Sequence, residues 1–151
     1  VEVLPESVAA GEPLGTIVVT DDRLGSLEIA AHEVPGLIDE LPAISALAAH
    51  GGQVTIHGAG ELRVKESDRI TTLVTGFRNL GITAEEHGDG YTVRGTGSPK
   101  GGVAHAGGDH RMAMAFAIAA LAAQGPSTVE GAEAVVISYP GFFETLQRLI
   151  A

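Results

Sequence analysis

The chain has 151 residues, 44% of them hydrophobic, which is enough for one sizeable core and falls within the usual size range of a single domain. It carries 19 acidic and 9 basic residues, a formal net charge of -10, and this charge disfavours nucleic acid and anionic lipid as partners. The sequence contains no cysteine, which excludes disulfides, thiolate metal sites and cysteine nucleophiles. No apolar run approaches the length of a membrane span, so no membrane partner is expected.

The first local signals predict a strand at 16–19, a helix at 42–49 and a strand at 53–56, which is followed by Gly58-Ala59. Asp39 stands just before the helical run. An aspartate in that place is most commonly a helix cap, and spacing alone favours the cap; the alternative is a proton acceptor beside an apolar wall.

A dense charged cluster follows at residues 63–69, which contain three cations and two carboxylates. The cluster stands at the start of a helix predicted for 67–80 and closed by Gly81. Cations such as Lys65 and Arg69 are disfavoured at a helix start, and a bound anion would resolve that conflict. Glu66 is either a general acid or base or an ordinary carboxylate of a helix start, and its local sequence does not separate the two.

The scheme then repeats along the chain. Asp109 precedes a helical run at 112–121, as Asp39 precedes the earlier one 70 positions before, and the pair Gly131-Ala132 recurs 73 positions after Gly58-Ala59. A last helix is predicted for 141–150. We interpret the pattern as two tandem α/β units whose helices pack against a sheet.

Between the units, a turn at 88–90 introduces a strand at 91–94, and the glycine-rich stretch 95–102 serves as the connector. Asp21-Asp22 and Glu85-Glu86 are interpreted as turn and surface charges.

The second basic helix start is Gly107-Gly108-Asp109-His110-Arg111. The glycines permit close backbone approach, Asp109 is a natural N-cap, and Arg111 offers a two-pronged contact to a carboxylate or phosphate. The alternative is a capped helix with a solvated arginine. Two basic helix starts in an acidic protein favour an anion site built from both. His110 is the one histidine with such neighbours; the six histidines lack metal-ligand spacing, so no metal site is expected.

Four segments carry a resemblance to a known family: residues 39–42, 62–70, 109–115 and 138–143. In order and context, these motifs resemble the 5-enolpyruvylshikimate-3-phosphate synthase family over essentially the whole chain. The resemblance implies an α/β (α+β) fold of tandem βαβαββ units, with helices packed against mixed sheets in a pseudo-threefold domain. Residues 1–151 would be the C-terminal part of one domain, with units at approximately 1–98 and 99–151, and the enzyme's N-terminal domain would be the missing partner.

The resemblance also implies a reaction and its residues. The enolpyruvyl group of phosphoenolpyruvate passes to the 5-hydroxyl of shikimate 3-phosphate, and phosphate is released. By resemblance, Asp39 takes the hydroxyl proton, Glu66 exchanges a proton with the methylene carbon, and Lys65 contacts shikimate 3-phosphate. Arg69 and Arg111 grip phosphoenolpyruvate, with His110 close by.

No cofactor is implied, the expected location is cytoplasmic, and glyphosate is the family inhibitor. A fragment is expected to be inactive alone. One alternative is a non-catalytic anion-binding or assembly module with the same fold. The other is the related UDP-N-acetylglucosamine enolpyruvyl transferase, against which the motif from Lys65 to Arg69 argues.

Overall fold

A computed structural model describes residues 2–20 and 25–151. Its strands are β1 (Glu2–Ala9), β2 (Glu12–Val18), β3 (Ser26–Ile29), β4 (Gln53–Ile56), β5 (Thr83–His87), β6 (Gly90–Arg94), β7 (Val103–His105) and β8 (Thr128–Glu130). Its α-helices are α1 (Val34–Leu37), α2 (Leu41–Ala48), α3 (Arg69–Asn79), α4 (His110–Ala120) and α5 (Phe142–Ile150), and two 3₁₀ helices span Gly60–Val64 and Ala132–Ile137. The predicted Asp21-Asp22 charges lie outside the described residues.

The central sheet is mixed and has the strand order β3-β4-β6-β5. β3 and β4 are parallel and are joined through α1 and α2, whereas β6 runs antiparallel to both β4 and β5. Helix α3 leads from β4 to β5. Residues 26–94 therefore have βαβαββ connectivity, with the first helical connection split into two short helices.

The second half of the chain repeats the beginning of this scheme. β7 and β8 are parallel, α4 connects them, and α5 follows. Gly58 and Gly131 both have left-handed backbone, with φ of 69° and 77°, and each lies between a parallel strand and a 3₁₀ helix. Glycine is the residue that adopts this conformation without steric cost, which explains why the Gly-Ala pair recurs.

The core lies where α4 packs against α2 and α3 and where these helices contact the sheets. Phe77 of α3 and Phe116 of α4 pack edge to face with ring centroids 5.5 Å apart. Between α2 and β6, the hydroxyls of Ser45 and Tyr91 lie 3.0 Å apart and satisfy each other in the interior. Burial raises the pKa of Tyr91, so its phenol stays neutral. The aromatic contact holds α3 against α4, and the hydroxyl pair holds α2 against the central sheet.

Predicted and observed elements differ most in the strands. The strand predicted at 16–19 is part of a longer antiparallel hairpin, β1–β2, in which every strand residue is exposed. Glu85 and Glu86 lie on β5 rather than in a turn. Helix α3 begins two residues later than predicted, because Asp68 rather than Ser67 is its N-cap.

Within residues 2–20 and 25–151, no helix combines the length and the apolar character needed to cross a bilayer.

Candidate functional site

The start of α3 is organised by Asp68. Its carboxylate accepts a hydrogen bond from the Thr71 backbone N–H at 3.1 Å and pairs with the Arg63 guanidinium at 3.1 Å. Burial opposes the charged form, but the backbone and hydroxyl hydrogen bonds from Thr71 and the nearby Arg63 outweigh it and lower the pKa of Asp68. Arg63 also pairs with Glu86 at 2.8 Å. This arginine therefore ties the helix start to strand β5.

The start of α4 is organised by Asp109, which is its N-cap as predicted. One carboxylate oxygen accepts from the backbone N–H of Arg111 at 2.9 Å, and the other accepts from Nε of Arg69 at 2.7 Å. The Asp109 side chain is fully buried and Arg69 is 1% exposed. A buried ion pair thus joins two helix starts that are 40 residues apart in sequence.

Arg69 contacts two further carboxylates. Its Nη1 donates to Oδ1 of Asp39 at 3.1 Å, and its Nη2 donates to Oε2 of Glu66 at 2.6 Å. Burial alone would lower the pKa of Arg69, but Asp109, Asp39 and Glu66 together raise it. The protein's own carboxylates therefore stabilise the cation at this helix start.

Arg111 reaches the same carboxylate from the other helix. Its Nη2 donates to Oδ2 of Asp39 at 3.0 Å, and its Nη1 donates to the Asp39 backbone carbonyl at 2.9 Å. The Arg111 side chain is 31% exposed, so it borders solvent. Arg69 and Arg111 thus converge on one carboxylate, in a geometry that suits an anionic group.

The interpretation of Asp39 as a helix cap is wrong. The N-cap of α2 is Glu40, and the Asp39 side chain turns instead to the two arginines. Local spacing favoured the cap because the competing partners come from α3 and α4, which are distant in sequence.

Of the three further predicted residues, one is bonded to this centre and two have other partners. Glu66 is linked to it directly through Arg69. Nζ of Lys65 lies 3.3 Å from a carboxylate oxygen of Glu61, one helical turn earlier. His110 is the first residue of α4, and its Nδ1 lies 2.6 Å from the hydroxyl of Ser138.

Sequence reasoning missed the second role of Asp109. It predicted the cap from local spacing, but it did not predict the buried bond to Arg69. No signal in one short segment could reveal a partner 40 residues away. The motif around Ser138 was recognised, although its contact with His110 was not predicted.

Beside Asp39 and Arg111 lies a half-open groove of about 220 Å³. Its remaining lining comes from α2, α4 and α5 and is apolar: Pro42, Ala43, Ala46, Met114, Ala115, Ile118 and Phe142. A charged rim over an apolar floor is a common form for a small-molecule site. In the described part of the chain, no group of three or more histidine, aspartate or glutamate side chains is placed to hold a metal ion.

The fold and this arginine centre define an α/β protein with a candidate site for a small anion. Residues 8–146 match the sequence model of EPSP synthase (3-phosphoshikimate 1-carboxyvinyltransferase). The chain belongs to the EPSP synthase family.

Relatives agree with this assignment. The chain is 43% identical over 150 residues to a 3-phosphoshikimate 1-carboxyvinyltransferase of Roseiflexus castenholzii, covering 99% of this chain and 35% of the relative. It is 48% identical over 143 residues to the protein of that name from Lactiplantibacillus plantarum, covering 92% of this chain and 33% of that relative. A solved EPSP synthase from Acinetobacter baumannii superposes with a TM-score of 0.88 at 38% identity. The superposition covers 97% of this chain and 35% of the solved chain.

The chain therefore spans about a third of the length of the relatives that it matches. The structural similarity confirms the predicted α/β fold class.

Proposed function

We propose that this chain forms part of an EPSP synthase that transfers the enolpyruvyl group of phosphoenolpyruvate to the 5-hydroxyl of shikimate 3-phosphate and releases phosphate. The observation that carries the proposal is the convergence of Arg69 and Arg111 on one carboxylate position. Two guanidinium groups at that spacing suit the anion of phosphoenolpyruvate and the charge that develops on the departing phosphate. The names of the relatives support the shikimate enzyme over UDP-N-acetylglucosamine enolpyruvyl transferase.

The proposed roles follow the site's geometry. Arg69 and Arg111 hold phosphoenolpyruvate, and Asp39 between them takes the proton of the attacking hydroxyl. Glu66, whose carboxylate is half exposed and bonded to Arg69, exchanges a proton with the methylene carbon. Lys65 contacts shikimate 3-phosphate once its link to Glu61 opens, and His110 lies beside the phosphoenolpyruvate site.

The net charge of the arginine centre supports the interpretation that this chain is a fragment and needs a second domain to bind its substrates. Two guanidinium groups face the carboxylates of Asp39, Glu66 and Asp109, which leaves a net charge of -1. A multiply charged substrate gains little from such a cluster. The proposal therefore includes a second domain of the same enzyme that supplies further cations, and a cytoplasmic location. Phosphoenolpyruvate and glyphosate should bind the chain alone weakly.

Complementation tests the proposal. The chain is mixed with the part of the Roseiflexus castenholzii relative that it does not match, and phosphate release from phosphoenolpyruvate and shikimate 3-phosphate is followed by ³¹P NMR. We expect turnover in the mixture and none with either part alone. A chain with Arg111→Lys keeps the charge but loses the two-pronged contact, so its turnover should fall about 100-fold, the usual cost of one lost electrostatic contact in a transition state.

Association without turnover would contradict the proposal. If the two parts co-elute as a folded complex and release no phosphate, the chain acts as a binding or assembly module with an enzyme's fold. An equal rate for the Arg111→Lys chain would contradict the role given to Arg111.

A further inference from the structure

The carboxylate of Asp39 occupies the position between the two arginines. Its Oδ1 accepts from Arg69 at 3.1 Å and its Oδ2 accepts from Arg111 at 3.0 Å. One carboxylate bridging two guanidinium groups in this way makes the contacts that an anionic ligand would make. The arginine pair is therefore satisfied before any ligand arrives.

The carboxylates around Arg69 differ in how easily they could leave. Asp109 is fully buried and also caps α4, so its departure would open the core. Asp39 is 42% exposed and caps no helix. Its side chain can turn toward solvent while the buried pair of Arg69 and Asp109 stays intact.

We propose that Asp39 is an internal competitor of the anionic substrate: its carboxylate fills the place between Arg69 and Arg111 and withdraws when a phosphate or carboxylate group binds there. The inference rests on the proposed function, because it takes these arginines as the anion site. It adds an order of events. Both oxygens of Asp39 accept from cations until the anion displaces them, and only then is the carboxylate free to accept the substrate's hydroxyl proton.

Displacement would link binding to catalysis without a separate lid. The anion takes over the hydrogen bonds of Arg111, and Asp39 is released next to it. A carboxylate that stayed bridged would keep one acceptor site of each oxygen on a guanidinium group, so fewer sites would be open to the attacking hydroxyl. The arrangement thus delays the base until its reaction partner is in place.

Binding of inorganic phosphate to the chain provides the test, measured by calorimetry at constant ionic strength. Asp39→Asn removes the bridging charge and preserves the side chain's size. The matched control is Glu66→Gln, which changes the net charge of the cluster by the same amount but leaves the bridge in place. We expect about tenfold tighter phosphate binding for Asp39→Asn, within the usual range of coupling between competing ligands. Glu66→Gln should gain about threefold or less, because it removes a half-exposed charge without freeing the position between the two arginines.

If both variants gained the same phosphate affinity, the gain would come from the change in net charge alone, and the inference would be overturned. Weaker binding by Asp39→Asn, or no phosphate binding by either variant, would also overturn it. The proposed function would survive all three results, because its own test is turnover of the complemented enzyme. Conversely, tighter binding by Asp39→Asn alone would stand even if complementation failed.

A measurement on the unsubstituted chain guards against a misfolded variant. In a phosphate titration followed by NMR, the Cγ signal of Asp39 and the side-chain N–H signals of Arg111 should shift together and saturate at one phosphate concentration. The Nε–H signal of Arg69, held by Asp109, should move less. A shift of Arg111 with no change at Asp39 would contradict displacement.

Discussion

The two helix starts use the same residue types with opposite burial. At α3 the capping Asp68 is 40% exposed and the following Arg69 is buried. At α4 the capping Asp109 is buried and Arg111 reaches solvent. The two buried side chains pair with each other, whereas the two partly exposed side chains pair with other residues.

This exchange gives the two arginines of the repeated motif different surroundings. The pair of Arg69 and Asp109 fixes the helix starts against each other, because both charges are out of water and bonded. Arg111 is held mainly by the half-exposed Asp39 and can change partner. A similar sequence pattern therefore yields one buried arginine that anchors the two helix starts and one that borders solvent.

The largest effect should come from breaking the buried pair. Asp109→Asn retains a capping side chain but removes the fully buried carboxylate that pairs with Arg69, so the free energy of unfolding should fall by about 3 kcal/mol. Urea denaturation measures this loss. The matched control is Asp68→Asn at the exposed cap, which should cost about 1 kcal/mol or less. Equal losses would refute the contrast between the two starts.

The next largest effect concerns the close approach of α3 and α4. A Cβ atom at Gly76 would collide with the ring of Phe116, so Gly76→Ala should destabilise the chain by about 1–3 kcal/mol. Helix propensity alone predicts the opposite sign, a gain of about 1 kcal/mol. Gly36→Ala in α1, where a Cβ meets no atom within 4 Å, serves as the control and should be neutral or stabilising. A stabilised Gly76→Ala variant would mean that the helices are not packed this closely.

Removing the partly exposed cap of α3, Asp68, should lower the free energy of unfolding modestly, by an amount that depends on pH. Asp68→Ala removes the cap of α3 and should cost about 1 kcal/mol at neutral pH. The pKa of Asp68 is lowered in the folded chain, so its stabilisation is present above its unfolded pKa of 3.8 and is lost as the pH falls through the folded value. The stability difference between the two chains should thus be constant above about pH 5 and shrink below about pH 4. A difference that grows on acidification would contradict the assignment.

The smallest effect on stability should come from Arg111. Arg111→Met removes a partly exposed ion pair, so the free energy of unfolding should change by about 0.5 kcal/mol. Phosphate binding should nevertheless be lost, which calorimetry would detect. A loss as large as that of Asp109→Asn would show that Arg111 is an anchor rather than a ligand-facing residue.

Local patterns predicted the helices well. The run at 42–49 is α2 within one residue at each end, β4 has the predicted bounds, and Asp109 caps α4. These features depend on apolar periodicity and capping, which act within a few residues. Strands β1, β3, β5 and β7 were not predicted, because short strands depend on pairing with distant segments.

At the candidate site, the sequence predicted that the two basic helix starts come together, but it did not predict how their residues pair. The motifs singled out Asp39, Arg69 and Arg111, and the family resemblance identified their neighbourhood. The cap interpretation of Asp39 failed because nearest-neighbour spacing carries no information about α3 and α4. The three carboxylates that pair with Arg69 were not predicted as its partners, because Asp39 and Asp109 are distant from it in sequence.

The sequence by itself determined helices α2 to α5, the capping of α4 by Asp109, the repeated Gly-Ala pair and the family. Each of these depends on interactions within a few residues or on an extended motif. Tertiary structure alone decided which arginine is buried, which aspartate pairs with it, and that Asp39 lies between two guanidinium groups. Those outcomes arise where three helices meet, because burial and charge pairing are set by segments that are far apart in the chain.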